Sequence, residues 1–190
     1  MKATGIVRRI DDLGRVVIPK EIRRTMRIRE GDPLEIYTSR DGEVIFKKYS
    51  MLGGLEDFAV QLCETMSRST GRICAIADRD AILSVSGGRK DLYGRHISRE
   101  LEQIMEDRRI YRREGNGNPV PVCEEPDPGV ADIIAPILSE GDVLGAVLFI
   151  AAFDSNNINN GELSSAPTPG DTEYKLAQTI AGFLGRHMET

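Results

Sequence analysis

Apolar and polar residues alternate in short runs over the first quarter of the chain and at helical spacing over much of the rest. In the first part, the β-branched runs Gly5–Ile10 and Arg15–Ile18 are typical of strands. Pro19 follows the second run, where a helix can begin because the N–H that proline lacks would have no partner there. Ile22 and Met26 form an i, i+4 apolar pair, so we expect a short helix after Pro19.

The clearest local pattern is a β-hairpin centred on Asp41-Gly42. Leu34–Arg40 and Glu43–Tyr49 flank this dipeptide, which favours a two-residue type I′ turn. The resulting register pairs the strands as Glu35 with Lys48 and Tyr37 with Phe46. Apolar residues then occupy both faces of the hairpin. A domain this small cannot cover two apolar faces alone, so the pattern predicts pairing with a second copy.

The pattern changes after residue 50, which divides the chain into a domain at 1–50, a linker at 51–55 and a second domain at 56–190. Apolar residues at helical spacing predict three helices, near 55–71, 94–113 and 177–188. Two strand pairs are expected between them, Ile73–Asp78 with Ala81–Ser86 and Ala131–Leu138 with Val143–Ala152. Loops are expected at Gly115–Gly129 and Asp154–Gly170. This order of elements predicts a small α/β sensor-like domain.

Charge divides the chain at the same place. Residues 1–50 carry a net charge of +4 and the remainder −9, within a total of −5. The longest apolar run, Val143–Phe153, has 11 residues, fewer than the roughly 20 that a membrane helix needs. The N-terminus lacks the apolar core of a secretory signal, and three widely spaced cysteines fit neither a disulfide framework nor a zinc site. We therefore expect a cytoplasmic protein with no membrane partner.

The cations of the first domain are unusually dense. Nine of the 25 Lys/Arg residues of the chain lie between residues 2 and 29, interleaved with Ile, Val and Leu. Exposed charges are ordinarily a solvated surface. The density of these charges and their contrast with the acidic remainder indicate instead an anionic partner. Guanidinium groups suit phosphate oxygens and the O6/N7 edge of guanine, so the pattern predicts nucleic-acid binding.

Residues 2–50 resemble the DNA-binding domain of the AbrB transition-state regulators. The resemblance lies in the motif GIVR…LGRVVIP.E.RR…I..GD.LEI, which runs almost without gaps. It implies that two chains interleave their hairpins into a swapped-hairpin β-barrel. The DNA-contacting arginines of the family fall on Arg8, Arg15, Arg23 and Arg24. Further candidates on the same basis are Lys2, Arg9 and Lys20.

The second domain resembles a GAF domain, a fold often used to bind small ligands. The resemblance rests on the order of its elements and on the segments ICAIADRDAILSVSGG, APILSEGDVLGAVLFI and AGFLGRHME. It assigns no cofactor-ligating residue. The whole chain is thus expected to be an α+β multidomain protein, with a dimeric swapped-hairpin β-barrel followed by a GAF-like α/β sensor domain.

Enzymatic chemistry finds little support in the sequence. His96 and His187 are far apart, and apolar neighbours predict that Cys63 and Cys74 are buried structural residues. The loop at residues 86–90 lacks the phosphate-loop pattern. Two acidic groups, at residues 78–80 and 124–127, lack His or Cys at ligand spacing. We therefore expect no catalytic residue, metal or cofactor.

The function expected from these observations is a DNA-binding transcriptional regulator of the sporulation type, associated with the nucleoid as a dimer or tetramer. Its partners would be double-stranded DNA, further copies of itself and an unidentified small-molecule effector. An antitoxin-like swapped-hairpin module stays open as an alternative. So does a ligand sensor in which DNA binding is secondary, or a second domain that only oligomerises. The operator sequence and the direction of regulation are also left open.

Overall fold

The computed structural model describes residues 4–50, 52–114, 119–124, 126, 129–152 and 168–189. They form two compact units, Met1–Tyr49 and Ser50–Thr190. Residues 154–167 of the loop predicted at Asp154–Gly170 lie outside the described residues. Within the described ranges, no helix combines the length and the apolar character required to cross a membrane.

One short helix and one hairpin form the regular structure of the N-terminal unit. Helix α1 spans Lys20–Thr25 and directly follows Pro19, which confirms the predicted start. Strands β1 (Leu34–Thr38) and β2 (Val44–Lys48) pair antiparallel, which confirms the predicted hairpin.

The prediction of strands at Gly5–Ile10 and Arg15–Ile18 is wrong for a single chain, in which both segments are irregular. A strand forms only where a neighbouring backbone can exchange hydrogen bonds with it, and β1 and β2 pair only with each other. The described part of one N-terminal unit therefore contains a two-stranded sheet and no closed barrel.

The hairpin loop is one residue longer than predicted. Ser39 N–H donates to the Glu43 carbonyl over 3.0 Å, and Gly42 N–H donates to the Ser39 carbonyl over 3.2 Å. Gly42 has a φ of +79°, the left-handed conformation that closes a three-residue loop. The register therefore moves by one position, and the strand pairs become Glu35 with Lys47 and Tyr37 with Ile45.

Both faces of the hairpin remain apolar in this register, and both are exposed. Ile36 is 61% exposed and Phe46 37% on one face, while Tyr37 is 40% exposed on the other. Among the described residues of the N-terminal unit, Pro19 alone is buried. One copy of this unit thus has no hydrophobic core of its own.

An antiparallel sheet of six strands forms the centre of the C-terminal unit. Its strands are β3 (Ile73–Asp78), β4 (Ile82–Ser86), β5 (Tyr111–Arg112), β6 (Val120–Pro121), β7 (Val130–Ser139) and β8 (Asp142–Ile150). Their order is β4-β3-β8-β7-β5, and β6 pairs with β7 as well. The two predicted strand pairs are confirmed as β3 with β4 and β7 with β8.

Helices cover both faces of this sheet. Helices α2 (Glu56–Thr70) and α4 (Asp171–His187) pack on one face, and helix α3 (Arg99–Glu106) packs on the other. Each central strand is buried on both sides, which explains its continuous apolar sequence. The C-terminal unit is therefore a mixed α/β layered structure with two cores.

Helix α3 is shorter than the predicted span of 94–113. Ser98 caps its N-terminus, since the Ser98 hydroxyl oxygen accepts a hydrogen bond from Leu101 N–H over 3.0 Å. The helix ends at Glu106, and Arg108 beyond it has a φ of +55°. The apolar spacing located the helix, and the cap fixes where it begins.

A buried ion network lies within the C-terminal unit. Asp132 is 1% exposed, and its two carboxylate oxygens contact Arg113 Nε at 2.7 Å and Arg72 Nη1 at 3.1 Å. Arg72 Nε also lies 3.6 Å from a carboxylate oxygen of Glu173 in α4. Burial raises the pKa of Asp132 above its ordinary value, against the opposing hydrogen bond and charge of Arg113. The network joins β7 and α4 to the residue that precedes β3, through charges that compensate one another.

Close packing of α4 on the sheet gives the first testable prediction. A Cβ at Gly185 would lie 2.0 Å from the carbonyl oxygen of Leu138, so Gly185→Ala forces the helix away from β7. We expect the free energy of unfolding to fall by about 1–3 kcal/mol. Gly182 of the same helix meets nothing within 4 Å, and Gly182→Ala should raise stability by about 0.5–1 kcal/mol. Urea denaturation of both variants tests this, and equal effects would contradict it.

Candidate nucleic-acid interface

Helix α1 carries two of the predicted site residues, Arg23 and Arg24. Both are exposed in its last turn, where cations interact favourably with the helix dipole. Lys20, at the first helical position, is also exposed. Within the described part of the chain, the side chains of these three residues form no hydrogen bond or ion pair.

Arg8 and Arg9 lie in the irregular segment that precedes the first turn. Both are exposed, and neither guanidinium group has a partner among the described residues. Lys2, the remaining lysine candidate, lies outside the described residues. Five predicted site residues, from Arg8 to Arg24, are thus exposed cations without partners in the described ranges.

Arg15 differs from these five residues because its side chain is held. Its Nε donates to the Asp11 carboxylate oxygen Oδ2 over 2.8 Å, although 69% of the side chain remains exposed. This contact with Asp11 was not predicted from the sequence. The spacing of an Asp four residues before an Arg in a Gly-containing turn is the signal that could have indicated it.

Two further arginines of the cluster, Arg27 and Arg29, are half-buried and belong to the support of the hairpin. Lys48 donates to the Arg27 carbonyl over 2.9 Å and lies 3.5 Å from the Asp32 carboxylate. The Asp32 side chain is 4% exposed and accepts a hydrogen bond from Arg29 N–H over 2.8 Å. These contacts hold the chain after α1 against β2, and so fix where α1 presents its arginines.

The cysteines lie in environments that disfavour nucleophilic chemistry. Cys63, Cys74 and Cys123 are all buried and free, which confirms the predicted burial of the first two. Burial raises the pKa of the Cys63 thiol to about 11, of Cys74 to about 12 and of Cys123 to about 11. These thiols are therefore protonated and weakly nucleophilic at neutral pH.

The histidines and acidic groups are engaged in local structure. The Nδ1 atom of His96 lies 3.2 Å from the Asp80 carbonyl oxygen, and His187 stacks on Phe183 with ring centroids 6.0 Å apart. Asp78 accepts hydrogen bonds from the backbone N–H groups of Asp80 and Ala81, both over 2.8 Å. The acidic group at 124–127 lies partly outside the described residues. Across the described ranges, no cluster of three His, Cys, Asp or Glu side chains could hold a metal ion.

The glycine-rich loop after β4 is also occupied by its own contacts. Arg89 donates twice to the Asp91 carboxylate, over 3.1 and 3.0 Å, and lies in the left-handed conformation with a φ of +48°. Gly87 approaches the backbone of Arg72 so closely that a Cβ there would lie 2.6 Å from its carbonyl oxygen. This loop therefore serves packing and a local ion pair.

Family models match nearly the whole chain in two parts. Residues 54–189 match the model described as stage V sporulation protein T C-terminal, transcription factor. Residues 7–51 match a model described as antidote-toxin recognition MazE, bacterial antitoxin. The antitoxin match is thus confined to the N-terminal part of the chain.

Two proteins of Bacillus subtilis are similar in sequence. Stage V sporulation protein T is 47% identical over 191 aligned residues, covering 100% of this chain and 99% of the relative. The transition state regulatory protein AbrB is 63% identical over 49 residues, covering 26% of this chain and 50% of the relative. The solution structure of the N-terminal DNA recognition domain of AbrB aligns with 63% identity over 26% of this chain and 91% of that one, with a TM-score of 0.23.

One solved structure is similar to a larger part of the chain. A type II free methionine-R-sulfoxide reductase from Thermoplasma acidophilum matches 70% of this chain and 94% of its own, with a TM-score of 0.50. The sequence identity is 12%, so the likeness concerns the fold alone. The GAF-like assignment of the second domain remains a prediction.

The Asp32 contacts give the second prediction. Asp32→Ala removes the acceptor of Arg29 N–H and the carboxylate beside Lys48, and should lower the stability of the N-terminal unit by about 1–3 kcal/mol. Glu30→Ala is the matched control, since Glu30 is exposed and has no side-chain partner in the described ranges. Hydrogen exchange of amides in residues 20–49 measures the effect. Equal protection in both variants would show that this contact does not support α1.

Proposed function

The chain belongs to the stage V sporulation protein T family of transcription factors, and on that premise we propose how it engages DNA. Two N-terminal units form one basic surface on double-stranded DNA, in the manner of a swapped-hairpin barrel. The proposed contacts are made by Arg8, Arg15, Arg23 and Arg24, with Lys2, Arg9 and Lys20 beside them. Acting on chromosomal DNA, the protein would regulate sporulation genes from the nucleoid.

The observation that carries this proposal is the set of exposed cations without partners in the described ranges. Arg8, Arg9, Lys20, Arg23 and Arg24 are exposed on a unit that has 63% identity to a DNA-recognising regulator. An exposed guanidinium group without an internal counter-ion can displace condensed cations from DNA phosphates, which is the main source of affinity for a duplex. Phosphate contacts should therefore dominate binding, with sequence preference aided by DNA shape.

Pairing of two chains is supported by the missing core of the single N-terminal unit. Val7 is 86% exposed, Val17 70% and Ile36 61%, in a unit that also leaves both faces of its hairpin uncovered. The segments at 5–10 and 15–18 are rich in β-branched residues but have no strand partner within one chain. A second copy can supply both the missing strand partners and the cover for the apolar side chains. Such a dimer also doubles the +4 charge of the first 50 residues.

The C-terminal unit is proposed to add contacts between chains. Val60 of α2 is 42% exposed and Phe183 of α4 is 43% exposed, both on the helices that cover one face of the sheet. Exposed large apolar residues on neighbouring elements are typical of association surfaces. These contacts would assemble a dimer of dimers, and a small ligand bound to this unit would act by altering them.

Gel-shift titrations of alanine variants test the DNA contacts. Each of Arg8→Ala, Arg23→Ala and Arg24→Ala removes one phosphate contact per chain, hence two per dimer. The logarithm of the binding constant should then depend less steeply on the logarithm of salt concentration, by about 0.9 for each phosphate that is no longer neutralised. Arg40→Ala is the matched control, since Arg40 is an exposed arginine of the same unit without a described partner.

Folded variants that bind as tightly as the unmodified protein, with the same salt slope, would refute the assignment of these arginines. A loss of equal size in Arg40→Ala would show that overall charge, and not the predicted positions, determines binding.

The proposed dimer has its own test in Ile36→Asp. If a second copy covers Ile36, a charge there opposes pairing and makes the N-terminal unit unfold at lower temperature. DNA affinity should fall with it, although Ile36 is not a proposed DNA contact. Concentration-dependent melting curves measure this effect. If Ile36 is instead free in solution, the variant should melt and bind DNA as the unmodified protein does.

A further inference from the structure

The turn between residues 11 and 15 is closed by a single carboxylate. Asp11 Oδ1 accepts hydrogen bonds from Leu13 N–H over 3.0 Å and from Arg15 N–H over 2.8 Å. The backbone adds two further bonds, from Asp11 N–H to the Arg15 carbonyl and from Gly14 N–H to the Asp11 carbonyl, both 3.0 Å. Gly14 supplies the positive φ of +76° that this turn requires. The backbone of Arg15 is therefore fixed relative to Asp11.

The second oxygen of the same carboxylate fixes the side chain of Arg15. Asp11 Oδ2 accepts a hydrogen bond from Arg15 Nε over 2.8 Å, so the Nε edge of the guanidinium group faces the turn. No described residue accepts a hydrogen bond from Nη1 or Nη2, and 69% of the side chain is exposed. These two nitrogens form an outward fork of paired N–H donors.

The charge of Asp11 distinguishes Arg15 from the other arginines. Phosphate binding is favoured by net positive charge, and Asp11 offsets the charge of Arg15 at close range. Recognition of a base edge depends on the direction of the hydrogen-bond donors, and Asp11 fixes that direction. The hydrogen bonds from Arg15, first from its backbone and then from its side chain, lower the pKa of Asp11 below its ordinary value. Asp11 thus stays ionised at neutral pH, where DNA is bound.

We propose that Arg15 reads guanine in the major groove through Nη1 and Nη2, with Asp11 as the positioning residue that aims it. This inference rests on the proposed function, since it requires that the N-terminal unit bind duplex DNA. It divides the cluster into two roles. Arg8, Arg9, Arg23 and Arg24, which have no acidic partner in the described ranges, hold phosphates. Arg15 carries the preference for sequence.

Asp11→Asn separates the two tasks of the carboxylate. The asparagine keeps an oxygen for the two backbone N–H groups of the turn, but its amide nitrogen is a donor and cannot accept from Arg15 Nε. Asp12→Asn is the matched control. It makes the same change of charge in the neighbouring residue, which is exposed and has no side-chain partner among the described residues.

The probes are two random-sequence pools of duplex DNA of about 30 base pairs, one made with guanine and one with 7-deazaguanine. The pools have the same charge and differ only in the N7 acceptor that Arg15 would contact. The unmodified full chain should prefer the guanine pool about tenfold. Asp11→Asn should lose this preference while binding the 7-deazaguanine pool more tightly, because the variant has gained positive charge. Asp12→Asn should gain the same affinity and keep the preference.

Several outcomes would overturn the inference. Equal binding of both pools by the unmodified chain would show that guanine N7 is not read. An Asp11→Asn variant that keeps the preference would show that Asp11 does not aim Arg15, and one that binds both pools more weakly would show that Asp11 only maintains the turn. If the unmodified chain binds neither pool, the proposed function itself fails. That result is distinct from the loss of guanine preference alone.

Discussion

The N-terminal unit has too little buried apolar surface to hold its own structure. Helix α1 has only six residues, fewer than an isolated helix needs in water, and the hairpin is uncovered on both faces. Everything proposed for DNA binding depends on this constraint. The positions of Arg23 and Arg24 follow from α1, and the chain that follows α1 is held against the hairpin by contacts around Asp32. In the proposed dimer, the same pairing of two chains covers the hairpin and positions the arginines. A monomer should therefore bind DNA poorly at any concentration of salt.

Much of the fold could be predicted from the sequence, and the exceptions have specific causes. Strands β3, β7 and β8 were found because a strand buried on both faces of a sheet has a continuous apolar sequence. The existence of the hairpin followed from Asp41-Gly42, but its register did not. A glycine with positive φ fits either the second position of a two-residue turn or the last position of a three-residue loop. The strands predicted at 5–10 and 15–18 are irregular in the described chain, because a β-branched sequence does not by itself supply the hydrogen-bond partner that a strand requires.

The candidate site was predictable in its composition and less so in its organisation. The family resemblance gave Arg8 and Arg15 the same role, since neither a motif nor charge density distinguishes a free side chain from a held one. The structure separates them, because the carboxylate of Asp11 lies against the Nε of one and not of the other. Asp32 was likewise inconspicuous in the sequence, although it is nearly buried. Acidic partners of arginines are hard to recognise beforehand, because pairing depends on turn geometry and not on spacing alone.

The ion network around Asp132 bears on how this protein can change over generations. Replacing Asp132 alone leaves Arg113, which is 3% exposed, as a buried charge without its main counter-ion. Replacing Arg113 alone leaves the buried Asp132 carboxylate with its contact to Arg72 but without the shorter contact to Arg113, while a matched pair of apolar residues could be tolerated. The effects of substitutions at these two positions are therefore not additive. The ionic pair can be replaced by an apolar pair only through a less stable single variant or by a double substitution. The residue that follows β5 and one position of the neighbouring strand β7 are thereby constrained to change together.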